Sequence, residues 1–429
     1  MKDSFRNDPP EYPGNYTQLI VDGPQIRETL LREINRAQHF IHFQVMLFYS
    51  DEAGMEIASA LAKRAREGIT VRVMSDSPMS RIVRFIEKTR SSAGSSFEEL
   101  QEIFAASGVK YLSSDDESYY IWHWKEKRKK LQNKGVPEEF LKMQDKVQDG
   151  IFFNINVFDH RKLMVFDGET SIVMGANIGN KYLYRVDESE NPNPNPHNWH
   201  DGGILIKGAF STELNKHFAS KWMVRDGDLF DYTEHYRKKA QYGEDRMSVF
   251  EFFPGMDSNQ IRDLYLHKMR TCQGRFIIQN PYVNDEEVWN TLAALPDEQA
   301  KKIILINPYT SDGNDYPQNR SAIQCNMWKP FQKGTSLYDF NRRMTHWKIA
   351  LDEAADEVFV GSYNLNHRSA YHDFELNVLV KSAPLSKQVL AMLQKDIAQS
   401  VKITDQDEFF ENPNLHPSCL LLKATEYFE

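Results

Sequence analysis

His160-Arg161-Lys162-Leu163-Met164-Val165-Phe166-Asp167 and, far along the chain, His346-Trp347-Lys348-Ile349-Ala350-Leu351-Asp352 are two versions of one phrase: an imidazole, a lysine two residues on, an apolar run and an aspartate. We read both as one motif, His-x-Lys-x4-Asp. Each precedes an apolar stretch and a turn carrying Gly and Asn, Gly175-Ala176-Asn177 in the first and Gly361-Ser362-Tyr363-Asn364 in the second. His160, Lys162 and Met164 alternate with Arg161 and Leu163, which predicts a β-strand with the imidazole and the ammonium on one face. Thr170-Ser171-Ile172-Val173-Met174 and Glu357-Val358-Phe359-Val360 read as second strands that end at glycine turns, from which the Asn amides reach the same place. Two such halves bring two His, two Lys and two Asn to one point.

That set suits a phosphodiester. Its anionic oxygens can be held by two lysines and two amide donors without a metal, while one His attacks phosphorus and the other protonates the leaving alkoxide. A repeat supports two halves independently. Gln25-Ile26-Arg27-Glu28 recurs as Gln260-Ile261-Arg262-Asp263, and each leads through an amphipathic stretch to a strand, Phe40-Ile41-His42-Phe43-Gln44 or Phe276-Ile277-Ile278-Gln279. The motif histidines lie 186 residues apart (160 to 346) and the Gln-Ile-Arg sites 235 apart (25 to 260), so the first half carries about 49 extra residues before His160.

These residues resemble the phospholipase D superfamily, and within it the cardiolipin synthase-like, phosphatidyltransferase branch. The likeness extends over most of residues 20–400, through the unit Gln25 to Asp76, Asn177-Ile178-Gly179-Asn180-Lys181-Tyr182 and Trp199-His200-Asp201-Gly202-Gly203. It implies an α/β fold of two pseudo-symmetric phospholipase D-like domains, each a mixed β-sheet flanked by helices, with the active site at their seam. The expected limits are an N-terminal tail over 1–19, a first domain over 20–225 with an insertion about 77–150, a connecting segment over 226–255 and a second domain over 256–429. The resemblance further implies a phospholipase D-type phosphodiesterase or phosphatidyltransferase working through a phosphohistidine, with no cofactor or metal. By family analogy His160 is the nucleophile and His346 the general acid. Lys162, Lys348, Asn177, Asn364 and Ser362 hold phosphate, and Asp167 and Asp352 brace the neighbouring chain. Asp201 is expected to orient the first histidine and Glu375 the second. Ala176 stands where the family often has the serine that Ser362 keeps.

Composition frames this reading. The chain has 429 residues, 41% hydrophobic and 26% charged, ordinary values for a large globular protein. No apolar run is long enough to span a bilayer, and Met1 to Asn15 is too polar for a signal peptide, which points to a cytoplasmic or peripheral membrane protein. Cys272, Cys325 and Cys419 lack metal-ligand spacing and fit a reducing compartment. The net charge of −9 argues against binding long nucleic acid. The exception to the acidic balance is Lys125 to Lys134, with six Lys or Arg against Glu126, next to Tyr119-Tyr120-Ile121-Trp122-His123-Trp124. Trp122, Trp124, Lys127 and Arg128 are therefore candidate membrane contacts, the alternative being a solvated helix whose aromatics pack on its own domain. The expected partners are a phospholipid and an alcohol or water acceptor; the oligomeric state stays open. A nuclease of the same superfamily and a catalytically silent lipid- or protein-binding scaffold are the competing readings.

Overall fold

The computed structural model describes residues 9–76, 97–113, 117–151, 157–184, 198–233, 242–308 and 323–404. The first half runs β1 (Tyr12–Val21), α1 (Asp22–Arg36), β2 (Phe40–Val45), α2 (Glu52–Arg66), β3 (Thr70–Ser75), α3 (Phe97–Ser107), β4 (Lys110–Ser113), α4 (Glu117–Lys134), α5 (Glu138–Ile151), β5 (Leu163–Phe166), β6 (Thr170–Met174), β7 (Gly202–Lys207) and α6 (Phe210–Val224). The second half contains β8 (Asp245–Phe252), α7 (Gln260–Thr271), β9 (Phe276–Gln279), β10 (Ile303–Asn307), β11 (Ser336–Asp339), β12 (Ile349–Asp352), β13 (Glu357–Gly361), β14 (Glu375–Lys381), α8 (Ala383–Gln399) and β15 (Val401–Lys402).

Local chemistry explains the elements. In α1, Ile26, Leu30 and Ile34 fall four residues apart and are all buried, a stripe laid on the sheet. Asp51 starts α2 by accepting from Gly54 N at 3.0 Å, and Lys63, Arg64 and Arg66 sit on its last turn, where the helix dipole favours cations. Every residue of β2 is buried, as expected of a strand covered on both faces.

The strands form one sheet in the order β15-β11-β10-β9-β12-β13-β14-β8-β1-β7-β6-β5-β2-β3-β4. Read outward from the β1–β8 seam, the halves match strand for strand: β1 with β8, β7 with β14, β6 with β13, β5 with β12, β2 with β9, β3 with β10, β4 with β11. Strands β2, β3 and β4 are parallel to one another, as are β9, β10 and β11, and the remaining pairs are antiparallel, so each half is a mixed sheet. One apolar core runs unbroken under both halves, from Leu163 and Ile204 to Ile349 and Val378, covered by Phe218 of α6 and Leu393 of α8. The opposite face carries two separate cores, one in each half.

Three expected boundaries move. Tyr12–Val21 is a central strand rather than part of a tail, paired with both β7 and β8. Pro13, Gly14 and its polar residues mask it in sequence, yet Asn15, Thr17 and Leu19 alternate inward. Residues 226–255 include β8, which pairs with β14 from Arg246 to Phe252. The insertion is narrower than 77–150, because α3 and β4 belong to the repeat: β4 pairs with β3 as β11 does with β10. The connection from β4 to β5, residues 114–162, is 40 residues longer than its counterpart 340–348 (49 against 9), and the surplus, which carries α4 and α5, lies before His160.

The basic aromatic segment is corrected too. Trp124 is buried and donates from Nε1 to Asp145 Oδ1 at 2.8 Å. Arg128 pairs with Asp145 (2.9 Å) and Glu138 (2.7 Å), while Lys127, Lys130 and Lys134 converge on Asp226 at 2.7–3.1 Å. These charges are answered within the domain, so Trp124, Lys127 and Arg128 brace the insertion; the side chain of Trp122 lies outside the described residues. Cys272 is buried and free, whereas Cys325 is disulfide-bonded. Among the described residues no helix is long and apolar enough to cross a membrane.

Candidate active site

Both motif histidines sit just ahead of their strands, in extended chain stitched to the other half. His160 N donates to Phe374 O at 3.0 Å and Phe374 N to Phe158 O at 2.9 Å; His346 N donates to His200 O at 2.7 Å and His200 N to Met344 O at 2.8 Å. Two buried glutamines brace the residue before each histidine. Gln44 at the end of β2 donates to Asp159 Oδ2 (2.9 Å), and Gln279 at the end of β9 donates to Thr345 Oγ1 (2.9 Å). They are 235 residues apart, the same offset as the Gln-Ile-Arg repeat, so their signal was present in sequence.

The seam crosses the imidazole–carboxylate pairs. His160 Nδ1 lies 3.0 Å from Glu375 Oε1, and His346 Nδ1 lies 2.6 Å from Asp201 Oδ2. This reverses the expected assignment of Asp201 to the first histidine and Glu375 to the second. Each carboxylate lies at or beside the start of a strand whose preceding residue is bonded to the opposite motif, and a side chain there points across the seam. With Nδ1 turned to a carboxylate on each ring, Nε2 is the nitrogen left for chemistry on His160, and on His346 it faces Lys348. Lys162 Nζ donates to His160 O at 2.6 Å; Lys348 Nζ donates to His346 O at 2.8 Å and lies 2.7 Å from His346 Nε2.

The surroundings of the two pairs differ. Glu375 accepts from Ser369 Oγ at 2.5 Å and from Ser362 Oγ, and Ser362 also accepts from Leu376 N. Ser362 thus fixes the carboxylate rather than facing phosphate. Its counterpart by strand register is Gly175, not Ala176: Met174 pairs with Gly203 as Gly361 does with Asn377. A Cβ at Gly175 would come 2.6 Å from Asp201 Oδ1, so the smaller residue lets Asp201 approach, and Asp201 takes a backbone donor, Gly202 N at 2.7 Å. The His346 ring is packed by Trp199 (4.9 Å between centroids) and Tyr182 (5.6 Å).

The remaining expected residues have partners of their own, and Asn364 N donates to Ser369 Oγ at 3.2 Å, beside Glu375. Asn177 is spent on structure, accepting from Leu47 N (3.1 Å) and donating to Tyr182 Oη (3.2 Å). Asn364 Oδ1 is buried with no hydrogen-bond partner among the described residues. Asp167 accepts from the backbone N–H groups of Gln38, His39 and Phe40 at 2.8–2.9 Å and so caps the start of β2. The second motif departs from the expected spacing, with three residues rather than four between Lys348 and Asp352. Glu353 takes the place of Asp167: its N–H donates to Arg275 O as that of Asp167 does to Phe40 O, while Asp352 pairs with Lys268 at 3.0 Å. None of these three acids contacts either motif histidine. Sequence reading missed Ser369, Trp199 and Asp373, which is buried and paired with Arg368 at 2.8 Å.

Burial dominates the electrostatics. It pushes His160 down to about 4, with Lys162 adding to the effect, and holds His346 well below its usual value. Burial also pushes Lys162 down to about 8, despite Glu375 and Asp201 nearby, and holds Lys348 well below the ordinary lysine value. Asp201 is raised by burial to about 7, whereas Glu375 is lowered, because His160 and Lys162 outweigh its burial. One carboxylate is thus firmly ionised and the other shares a proton near neutral pH. Such a site offers a neutral nucleophilic nitrogen on one side and a proton reservoir on the other.

The family described as cardiolipin synthase, PLD-like domain, matches residues 30–222 and 265–397, more than half of the chain and both of its halves. Cardiolipin synthase 1 of Bacillus cereus is 24% identical over 396 residues, which cover 90% of this chain and 66% of that protein. The major cardiolipin synthase ClsA of Bacillus subtilis is 24% identical over 408 residues, 93% of this chain and 72% of that protein. The chain therefore spans about two thirds to three quarters of the length of these relatives. In fold it is similar to the phosphatidylserine synthase of Haemophilus influenzae, with a TM-score of 0.65 at 15% identity over 98% of this chain and 95% of that one. With both halves matched, and a His-x-Lys pair from each meeting at the seam, the chain belongs to the cardiolipin synthase family of phospholipase D-like proteins.

Proposed function

We propose that the protein is a phosphatidyltransferase acting on phospholipids through a covalent phosphohistidine, independent of metal. The observation that carries this is the crossed set of two imidazole–carboxylate pairs with two buried lysines around them. Glu375 keeps the proton on His160 Nδ1, and Nε2 attacks phosphorus. The P–O bond to the departing alcohol breaks, and that oxygen takes a proton from the His346–Asp201 pair. The acceptor hydroxyl then gives its proton to the same pair and attacks phosphorus, the P–N bond breaks and His160 is released. Lys162 and Lys348 supply the positive charge for the phosphoryl oxygens, a place a metal fills in other phosphoryl-transfer sites. The names of the similar proteins favour a lipid phosphodiester, with an alcohol or water as acceptor.

The test is mass spectrometry of lipids after incubation with mixed phospholipid vesicles containing glycerol and excess chelator. Phosphatidyl-transfer products or phosphatidic acid should form despite the chelator, and fall by about a thousandfold or more in His160→Ala. Unchanged lipid, or turnover abolished by the chelator, would overturn the proposal.

A further inference from the structure

His200 is buried and is contacted by a carboxylate on each ring nitrogen: Nδ1 lies 2.7 Å from Asp22 Oδ1 and Nε2 lies 2.9 Å from Asp396 Oδ2. Ionised carboxylates only accept, so the two carboxylate contacts favour a proton on each nitrogen, an imidazolium, although Arg343 Nη2 also lies 3.1 Å from Nδ1. Arg343 completes the set, donating from Nη2 to Asp22 Oδ2 (2.7 Å) and from Nη1 to Tyr184 Oη (2.8 Å). Two cations face two anions, and the rings of Phe340 and Trp347 close over His200 at 5.1 and 6.2 Å. The members come from both halves: Asp22 opens α1, Asp396 lies on α8, and Arg343 precedes the second motif.

Among the described residues this cluster is wired to the His346–Asp201 pair. Asp201 follows His200, and its carbonyl accepts from Asp22 N at 2.8 Å. The His200 carbonyl accepts from His346 N at 2.7 Å. Asp22 is held at φ +68, a left-handed conformation that costs a non-glycine residue energy and persists where surroundings enforce it. On the other side of the pseudo-two-fold, the residue before Glu375 is Phe374, and Lys221 of α6 sits 3.6 Å from its ring centre, where α8 offers Asp396 to His200. The charge clamp thus breaks the symmetry between the two histidines.

We propose that His200, as an imidazolium clamped between Asp22 and Asp396, is a positioning residue that sets the placement and basicity of the His346–Asp201 pair. The proposal rests on the phosphatidyltransferase reading for its kinetic consequence. Burial works against the charge, but Asp396 and Asp22 outweigh it and raise His200 to about 9. A fixed positive charge next to Asp201 also favours the ionised carboxylate there, opposing its burial.

The experiment compares His200→Arg, which keeps a cation, with His200→Gln, which does not. It reads kcat, KM and the pH profile, together with imidazole titrations in 15N-histidine-labelled full-length protein. His200→Gln should lose about tenfold or more in kcat with KM nearly unchanged, and the His346–Asp201 titration should move to higher pH. His200→Arg should recover most of kcat and the wild-type profile. Equal losses in both variants at unchanged melting temperature, or an unmoved titration in His200→Gln, would overturn the proposal. If His200→Gln does not fold, Asp396→Asn serves, and the His200 titration must fall towards that of an ordinary histidine. Absence of lipid turnover in wild type would defeat the proposed function alone, because the titrations need no substrate: His200 must still be doubly protonated at pH 8.

Discussion

At the scale of single residues, the two imidazoles are alike in sequence and unlike in surroundings. Glu375 is held by Ser362, Ser369 and the His160 ring, whereas Asp201 takes a backbone donor and keeps a carboxyl near neutrality. That difference supports a nucleophile at His160 and a proton carrier at His346. It also sets a pH window. His160, lowered to about 4, is neutral above that pH; Lys162, lowered to about 8, is charged only below it. On a soluble short-chain phospholipid, kcat/KM should therefore rise through about pH 4 and fall from about pH 7 to about pH 8, as the His346–Asp201 pair and then Lys162 lose their protons. A profile flat from pH 7 to 10 would contradict the role of Lys162. The types of these residues were legible in the motifs, but the pairing was not. Two near-identical phrases carry no mark of which carboxylate crosses to which ring, and a one-residue slip hid both the match of Ser362 to Gly175 and the place of Glu353.

At the scale of elements, α4 shows how composition misleads. A run of lysines beside aromatics suits a lipid surface in sequence, but in the fold Asp145 takes Arg128, and Asp226 takes Lys127, Lys130 and Lys134. Trp124→Ala should lower the unfolding free energy by about 3 kcal/mol, read by urea denaturation, because it empties a buried site and removes one donor to Asp145. Loss of vesicle binding at unchanged stability would restore the membrane-contact reading. Strands β2, β3, β5 and β6 could be placed from their apolar runs. β1 could not, since Pro13, Gly14 and a polar face conceal a strand whose pairing is decided at the seam.

At the scale of the whole molecule, the repeat was visible as two fixed offsets, and it correctly implies two matched α/β halves. What the offsets do not contain is the fusion of both sheets through β1 and β8, or the crossing of catalytic pairs between halves. Because His160 depends on Glu375 and His346 on Asp201, neither half holds a complete pair, and the shared core beneath both keeps them in register.

The central claim is a covalent phosphatidyl-enzyme on His160, and the direct test is peptide mapping of protein quenched in alkali during turnover of a radiolabelled short-chain phospholipid. Label on the peptide containing His160 is the predicted result. Label on the His346 peptide instead, or product formation with neither peptide labelled, would contradict the account.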